Sequence, residues 1–156
     1  MRIPALSRRT YVLVAALTAL LLPLLCMFFS QLYVGRGVAE AIAELGQSYF
    51  RRKLNPGMIA LFHMPCFLIL CVVTLKYYAS RGAKRAFFLF TGGYIGTLFV
   101  LLPAHLIFWP EHYRNGPLPF PHGLEFVIGP LIALLSMAIG VLVGWTLARN
   151  LTIDSD

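Results

Sequence analysis

The sequence predicts an all-α membrane protein: a four-helix transmembrane bundle with one interfacial amphipathic helix in the first outer loop. Three observations carry this reading. The chain is 59% hydrophobic and only 12% charged, against roughly half apolar and a quarter charged in soluble domains. Its apolar residues fall into four blocks, each long enough to cross a hydrocarbon core ~30 Å thick. The segment after the first block has apolar positions three and four apart, the spacing of a helix with one greasy face. With 156 residues and a mean hydropathy of +0.78, a single soluble domain has too little interior to hide this much apolar surface, so residues 1–156 read as one membrane domain.

The first block covers about 11–33, some 34 Å of helix at ~1.5 Å per residue. Arg2, Arg8 and Arg9 precede it like the basic region of a signal peptide. The apolar stretch is long for a signal, and no convincing A-x-A site closes it, which reads as a retained anchor. Pro23 lies mid-span, where a kink is expected. The first outer loop then runs from Val34 to Gly57. In it Val38, Ala41, Ile42, Leu45 and Tyr49 share one helical face, with Glu40, Glu44, Gln47 and Arg51 opposite. This is the amphipathic helix, expected either to cap the bundle or to offer a docking surface. Asn55-Pro56-Gly57 punctuates the chain before the second block, about 58–78. A short basic inner loop, Ala79 to Arg85, leads to the third block, about 86–109. The second outer loop, Pro110 to Gly123, holds Pro110, Pro117, Pro119 and Pro121. These predict a stiff, non-helical loop presenting Phe120 between prolines. The fourth block covers about 124–147. Tyr11, Tyr33, Tyr77, Tyr78, Trp109 and Trp145 lie near block ends, where aromatic rings favour the headgroup level.

Charge sets the expected orientation. Of the 13 Lys and Arg, Arg2, Arg8, Arg9, Lys76, Arg81, Lys84, Arg85 and Arg149 fall on the side of both termini, leaving Arg36, Arg51, Arg52, Lys53 and Arg114 on the other. The positive-inside rule then places both termini in the cytoplasm, and small size with this loop charge reads as a bacterial inner membrane. The net charge of +7 does not indicate nucleic acid, because the cations sit in short clusters between apolar blocks without interleaved aromatics.

Small residues form the clearest packing pattern. The third block holds Gly92-x-x-x-Gly96, and the fourth holds a row of Ser136, Gly140, Gly144 and Ala148 at four-residue spacing. Such rows let helix backbones approach closely in lipid, within this bundle or against a partner's helix.

Chemistry-bearing residues are sparse. All four histidines fall on the outer side: His63 and His105 in spans, His112 and His122 in the proline-rich loop, with Glu111 and Glu125 nearby. His63 and His105 are candidate ligands of a copper ion, with Met58, Met64 and Cys66 as soft neighbours, or opposed axial ligands of a haem. No metal motif supports either, and the reading carries no cofactor. No span holds an acid or a base at mid-depth, which speaks against a proton-coupled transporter. No G-x-S-x-G elbow is present, and the only aspartates are in the tail, so no enzyme is expected. Cys26, Cys66 and Cys71 lie inside apolar blocks with no zinc or redox spacing.

What remains is recognition. Tyr49, Glu111, Phe120 and His122, on the outer loops, are the expected partner-binding residues. The four-span topology with both termini inside and short loops resembles that of immunity proteins that protect bacteria against pore-forming toxins. The resemblance covers most of the chain but is one of topology, and it transfers no functional residue. It implies a binding protein holding a toxin's helices or blocking its pore. The other expected role is an accessory or assembly subunit of a larger membrane complex; membrane lipid is a partner in both. The orientation is tested by C-terminal fusions. Green fluorescent protein should fluoresce there and alkaline phosphatase should be inactive; the opposite pair of results overturns it.

Overall fold

The computed structural model describes residues 6–48, 56–115 and 125–150. They form five α-helices: α1 Arg8–Tyr33, α2 Val38–Ser48, α3 Pro56–Arg81, α4 Ala83–Asn115 and α5 Glu125–Asn150. No strand occurs among the described residues. Helices α1, α3, α4 and α5 are each long and apolar enough to cross a membrane. Their lipid-compatible dress is plain: Phe99 (76% exposed), Ile107 (74%) and Leu135 (69%) all point outward, the reverse of a soluble surface.

Local chemistry sets the helix ends. Ser7 caps α1, its hydroxyl accepting the Thr10 N–H at 3.2 Å. At the other end Gly35, with φ +91, closes a Schellman motif. Its N–H donates to the Leu32 carbonyl and the Arg36 N–H to that of Gln31, both at 3.0 Å. Between α3 and α4 stands one residue, Gly82, at φ +86. The expected inner loop from 79 to 85 therefore shrinks to that glycine, and Lys84 and Arg85 become the first turn of α4.

Helices α3, α4 and α5 alternate in direction. One end of the bundle gathers Arg8, Arg9, Lys76, Arg81, Lys84, Arg85 and Arg149; we call it the basic end. The other carries His63, His105, His112, Arg36 and Arg114 with Glu40, Glu44 and Glu111, the histidine end. A core toward the basic end joins Tyr11, Ala15, Phe67, Leu70, Phe90, Leu101 and Met137. The Tyr11 ring meets that of Phe90 at 4.9 Å, and its hydroxyl donates to the Ala83 carbonyl at 3.4 Å. A second cluster at the histidine end joins Cys26, Met27, Ile59, Phe108, Trp109 and Phe126.

The tightest element of the fold is the antiparallel α4–α5 seam. A Cβ added to Gly92 would lie 2.2 Å from the Gly140 carbonyl oxygen, one on Gly96 2.4 Å from that of Ser136, and one on Gly144 2.2 Å from that of Phe88. The two small-residue rows of the sequence thus meet each other within the chain. The obstructing atoms are backbone, so no side chain can turn aside to make room.

Several expectations are corrected. The chain does not leave the helix at Pro110: α4 runs through Pro103 and Pro110 to Asn115. A proline costs a helix the bond to the carbonyl four residues back. Here aromatic packing offsets that cost. Phe108 and Trp109 lie against Phe126, and the Arg36 guanidinium lies 4.8 Å over the Tyr113 ring. Tyr11 (0% exposed) and Trp109 (2%) are bundle core rather than headgroup anchors, whereas Tyr33 (70%) does face outward. In α2 the buried face is Ala41, with Leu45 packed on the histidine-end cluster; Val38 and Ile42 stay exposed.

The seam makes a sharp prediction. Gly92→Ala or Gly140→Ala should lower unfolding stability in detergent by about 1–3 kcal/mol, the usual range for overpacking. Gly129→Ala, on the same helix with nothing within 4 Å of its Cβ position, should be neutral or stabilising by up to about 1 kcal/mol from helix propensity. Equal effects at the three positions would refute the seam.

Candidate functional site at the histidine end

The uniform apolarity of α3 and α4 hides which of their residues face each other. The structure brings His63 and His105 into direct contact, ring centroids 5.1 Å apart and nearly perpendicular. Both are fully buried. The Trp109 indole N–H, one turn along α4, donates to His105 Nδ1 at 3.0 Å, and the His105 ring also packs on Phe126 at 4.9 Å.

That hydrogen bond fixes the chemistry of His105. An indole N–H is only a donor, and a neutral imidazole has one N–H and one lone pair. With Nδ1 accepting from Trp109, the His105 proton sits on Nε2. Neither ring nitrogen of His63, nor His105 Nε2, has a hydrogen-bond partner among the described residues. A buried donor or acceptor left so costs about 1–3 kcal/mol. Polar groups inside apolar spans are expected where function needs them.

The pair does not fit the ligand roles expected of it. Opposed axial ligation of a haem requires the macrocycle between the rings, and these rings touch. A metal on His105 would need the Nε2 lone pair, and that nitrogen carries the proton. No group of three or more His, Cys, Asp or Glu suited to a metal occurs among the described residues. The soft residues are elsewhere engaged. The Cys66 thiol donates to the Pro130 carbonyl at 3.2 Å, and Met64 packs on the other core cluster. The three cysteines are free and buried.

The expected partner-binding residues divide. Tyr49, Phe120 and His122 lie outside the described residues. Glu111 is exposed on the last turns of α4, where its carboxylate accepts from the Asn115 side-chain amide. It lines a groove of about 540 Å³ between α1 and α4, with Phe29 and Tyr33 on one wall and Leu106, Ile107 and Arg114 on the other. The Arg114 guanidinium lies 5.1 Å over the Tyr33 ring. Opposite charges thus sit one helical turn apart over an apolar floor. The helix-packing residues Gly92, Gly96, Ser136, Gly140 and Gly144 are all in the α4–α5 seam. They also floor an apolar groove of about 520 Å³ walled by Ile95, Phe99 and Ile139.

Gln31 was not singled out by sequence reasoning. It is fully buried and accepts from Arg36 at 3.4 Å, while its Nε2 has no partner among the described residues. A glutamine ending an otherwise apolar block was the available signal.

Compared with known proteins, the chain matches no family model, no curated protein and no solved structure.

The unpaired nitrogens yield a testable sign. His63→Leu removes a donor and an acceptor at similar volume, so it should stabilise the protein by about 1–3 kcal/mol. Chemical unfolding in detergent measures this; a loss of stability would show that the ring is better satisfied than its contacts indicate.

Proposed function

We propose that the chain is a non-enzymatic, multi-pass protein of the bacterial inner membrane, with both termini in the cytoplasm, that acts by binding a protein partner at the outer face. Its most concrete form is an immunity protein against a pore-forming or membrane-targeting toxin. The observation that carries this reading is the α1–α4 groove. A surface that meets only lipid has no use for charge, yet this groove sets Glu111 and Arg114 beside Tyr33, Phe29 and Ile107. Apolar anchors rimmed by opposite charges suit a protein partner, the charges fixing register and the anchors contributing affinity. In the proposed orientation the groove opens at the outer surface, where an inserting toxin arrives. There α2 lies in the membrane interface with Val38 and Ile42 toward lipid.

The second reading, a subunit of a larger membrane complex, is favoured by the α4–α5 groove. Its glycine floor and its Ile95, Phe99 and Ile139 walls suit a partner's transmembrane helix.

Expression in cells sensitive to a pore-forming toxin should raise their survival when that toxin is the partner. At equal membrane abundance, Ile107→Ser with Glu111→Lys should cut that protection about tenfold or more, since buried anchors dominate such interfaces. The lipid-face variant Leu61→Ser should leave it intact. Full protection by the groove variant sinks the groove as the binding site. Loss of protection with Ile95→Ser and Ile139→Ser instead moves the partner to the α4–α5 face.

A further inference from the structure

The basic end holds a cavity that the partner-binding reading does not use. It measures about 420 Å³ and is lined by Tyr77 and Arg81 of α3, Arg85 of α4, and Trp145, Ala148 and Arg149 of α5. Three helices thus each contribute one guanidinium. Among the described residues no carboxylate lines the cavity. Among the described residues the acids are all at the opposite end: Glu40, Glu44, Glu111 and Glu125, the first residue of α5. Arg149 is held over the Trp145 ring, 5.3 Å from its centroid.

The helix field adds to the side chains. The first turn of α4 has no acidic residue and holds Lys84 and Arg85, so cations occupy the positive end of a 33-residue helix. A helix N-terminus favours an anion, through its unpaired N–H groups and its dipole. Guanidinium forks match phosphate oxygens two at a time.

We propose that this cavity binds the phosphate headgroup of an anionic phospholipid. The chemistry shared with free phosphate is the oxyanion; the surroundings favour the lipid. The cavity sits at the ends of apolar helices, with Trp145 partly exposed at its edge. One turn below Tyr77 on α3 stands Val73, 37% exposed, and one turn below Trp145 on α5 stands Leu142, 61% exposed. Acyl chains descending from a phosphate held by the arginines would lie along these rows, whereas an inorganic ion would gain nothing from them. Basic pockets between transmembrane helices are known to take such headgroups.

The test uses the full-length protein in mild detergent, with phosphatidylglycerol, phosphatidylcholine or inorganic phosphate added. Binding is read by native mass spectrometry and by the shift in unfolding temperature. Phosphatidylglycerol should remain as a stoichiometric adduct and raise the unfolding temperature, and the other two should not. Arg81→Gln, Arg85→Gln and Arg149→Gln should each weaken it about fivefold, with lipid-free unfolding of each variant reporting that it folds. Arg114→Gln, the same charge loss at the other end, should bind as the parent does. Stabilisation by inorganic phosphate equal to that by phosphatidylglycerol overturns the lipid assignment. Adducts that persist in all three variants, or fall equally in Arg114→Gln, overturn the site.

Discussion

The bundle depends on how closely α4 and α5 approach. In lipid, apolar side chains gain little by meeting each other rather than acyl chains, so association rests on contact at short range. Glycine supplies that range. At Gly92, Gly96, Gly140 and Gly144 each backbone lies against the carbonyls of its neighbour. Those contacts fix the antiparallel register of the two helices, and both ends of the molecule inherit it. At one end the register sets Phe126 against His105 and Trp109; at the other it brings Arg149 beside Arg85. A slip of one residue would dissolve the aromatic cluster and the arginine cavity together.

The two ends have opposite characters. The basic end is rich in cations and lacks acids among the described residues, and its core is closed by Tyr11, Phe90 and Phe67. The histidine end mixes charge with exposed aromatic surface and tolerates buried polar atoms without partners at Gln31, His63 and His105. Unmet polar groups reduce the stability margin where they occur. The proposed recognition surface therefore lies on the less satisfied end of the bundle, and the proposed lipid site on the end that anchors it.

What the sequence made legible follows from the kind of signal each feature leaves. Four apolar blocks report length directly, and four long helices are found. The small-residue rows were readable because so few side chains permit backbone contact; Gly92 and Gly140 declare themselves by size alone. Facing relations were not readable. In a span that is apolar on every side, periodicity does not say which residues turn inward, so the meeting of His63 with His105 and the burial of Tyr11 and Trp109 required the fold. Pro110 misled for a different reason: a local rule about proline gave way to the packing of Phe108, Trp109 and Tyr113 around it. Of the outer-loop residues expected to bind a partner, only Glu111 falls within the described residues.

The single-residue link at Gly82 bears on how such a protein is held in a membrane. With one residue between Arg81 and Ala83, α3 and α4 form a tight helical hairpin. The tip of that hairpin carries Arg81, Lys84 and Arg85. Moving those charges through hydrocarbon is costly, so the three cations tie the tip to one face of a bilayer. The pair therefore keeps its cations together as one unit on one side, and a lengthened linker would loosen that tie at the cost of the hydrogen bonds that Gly82 makes to Tyr78 and Ala86.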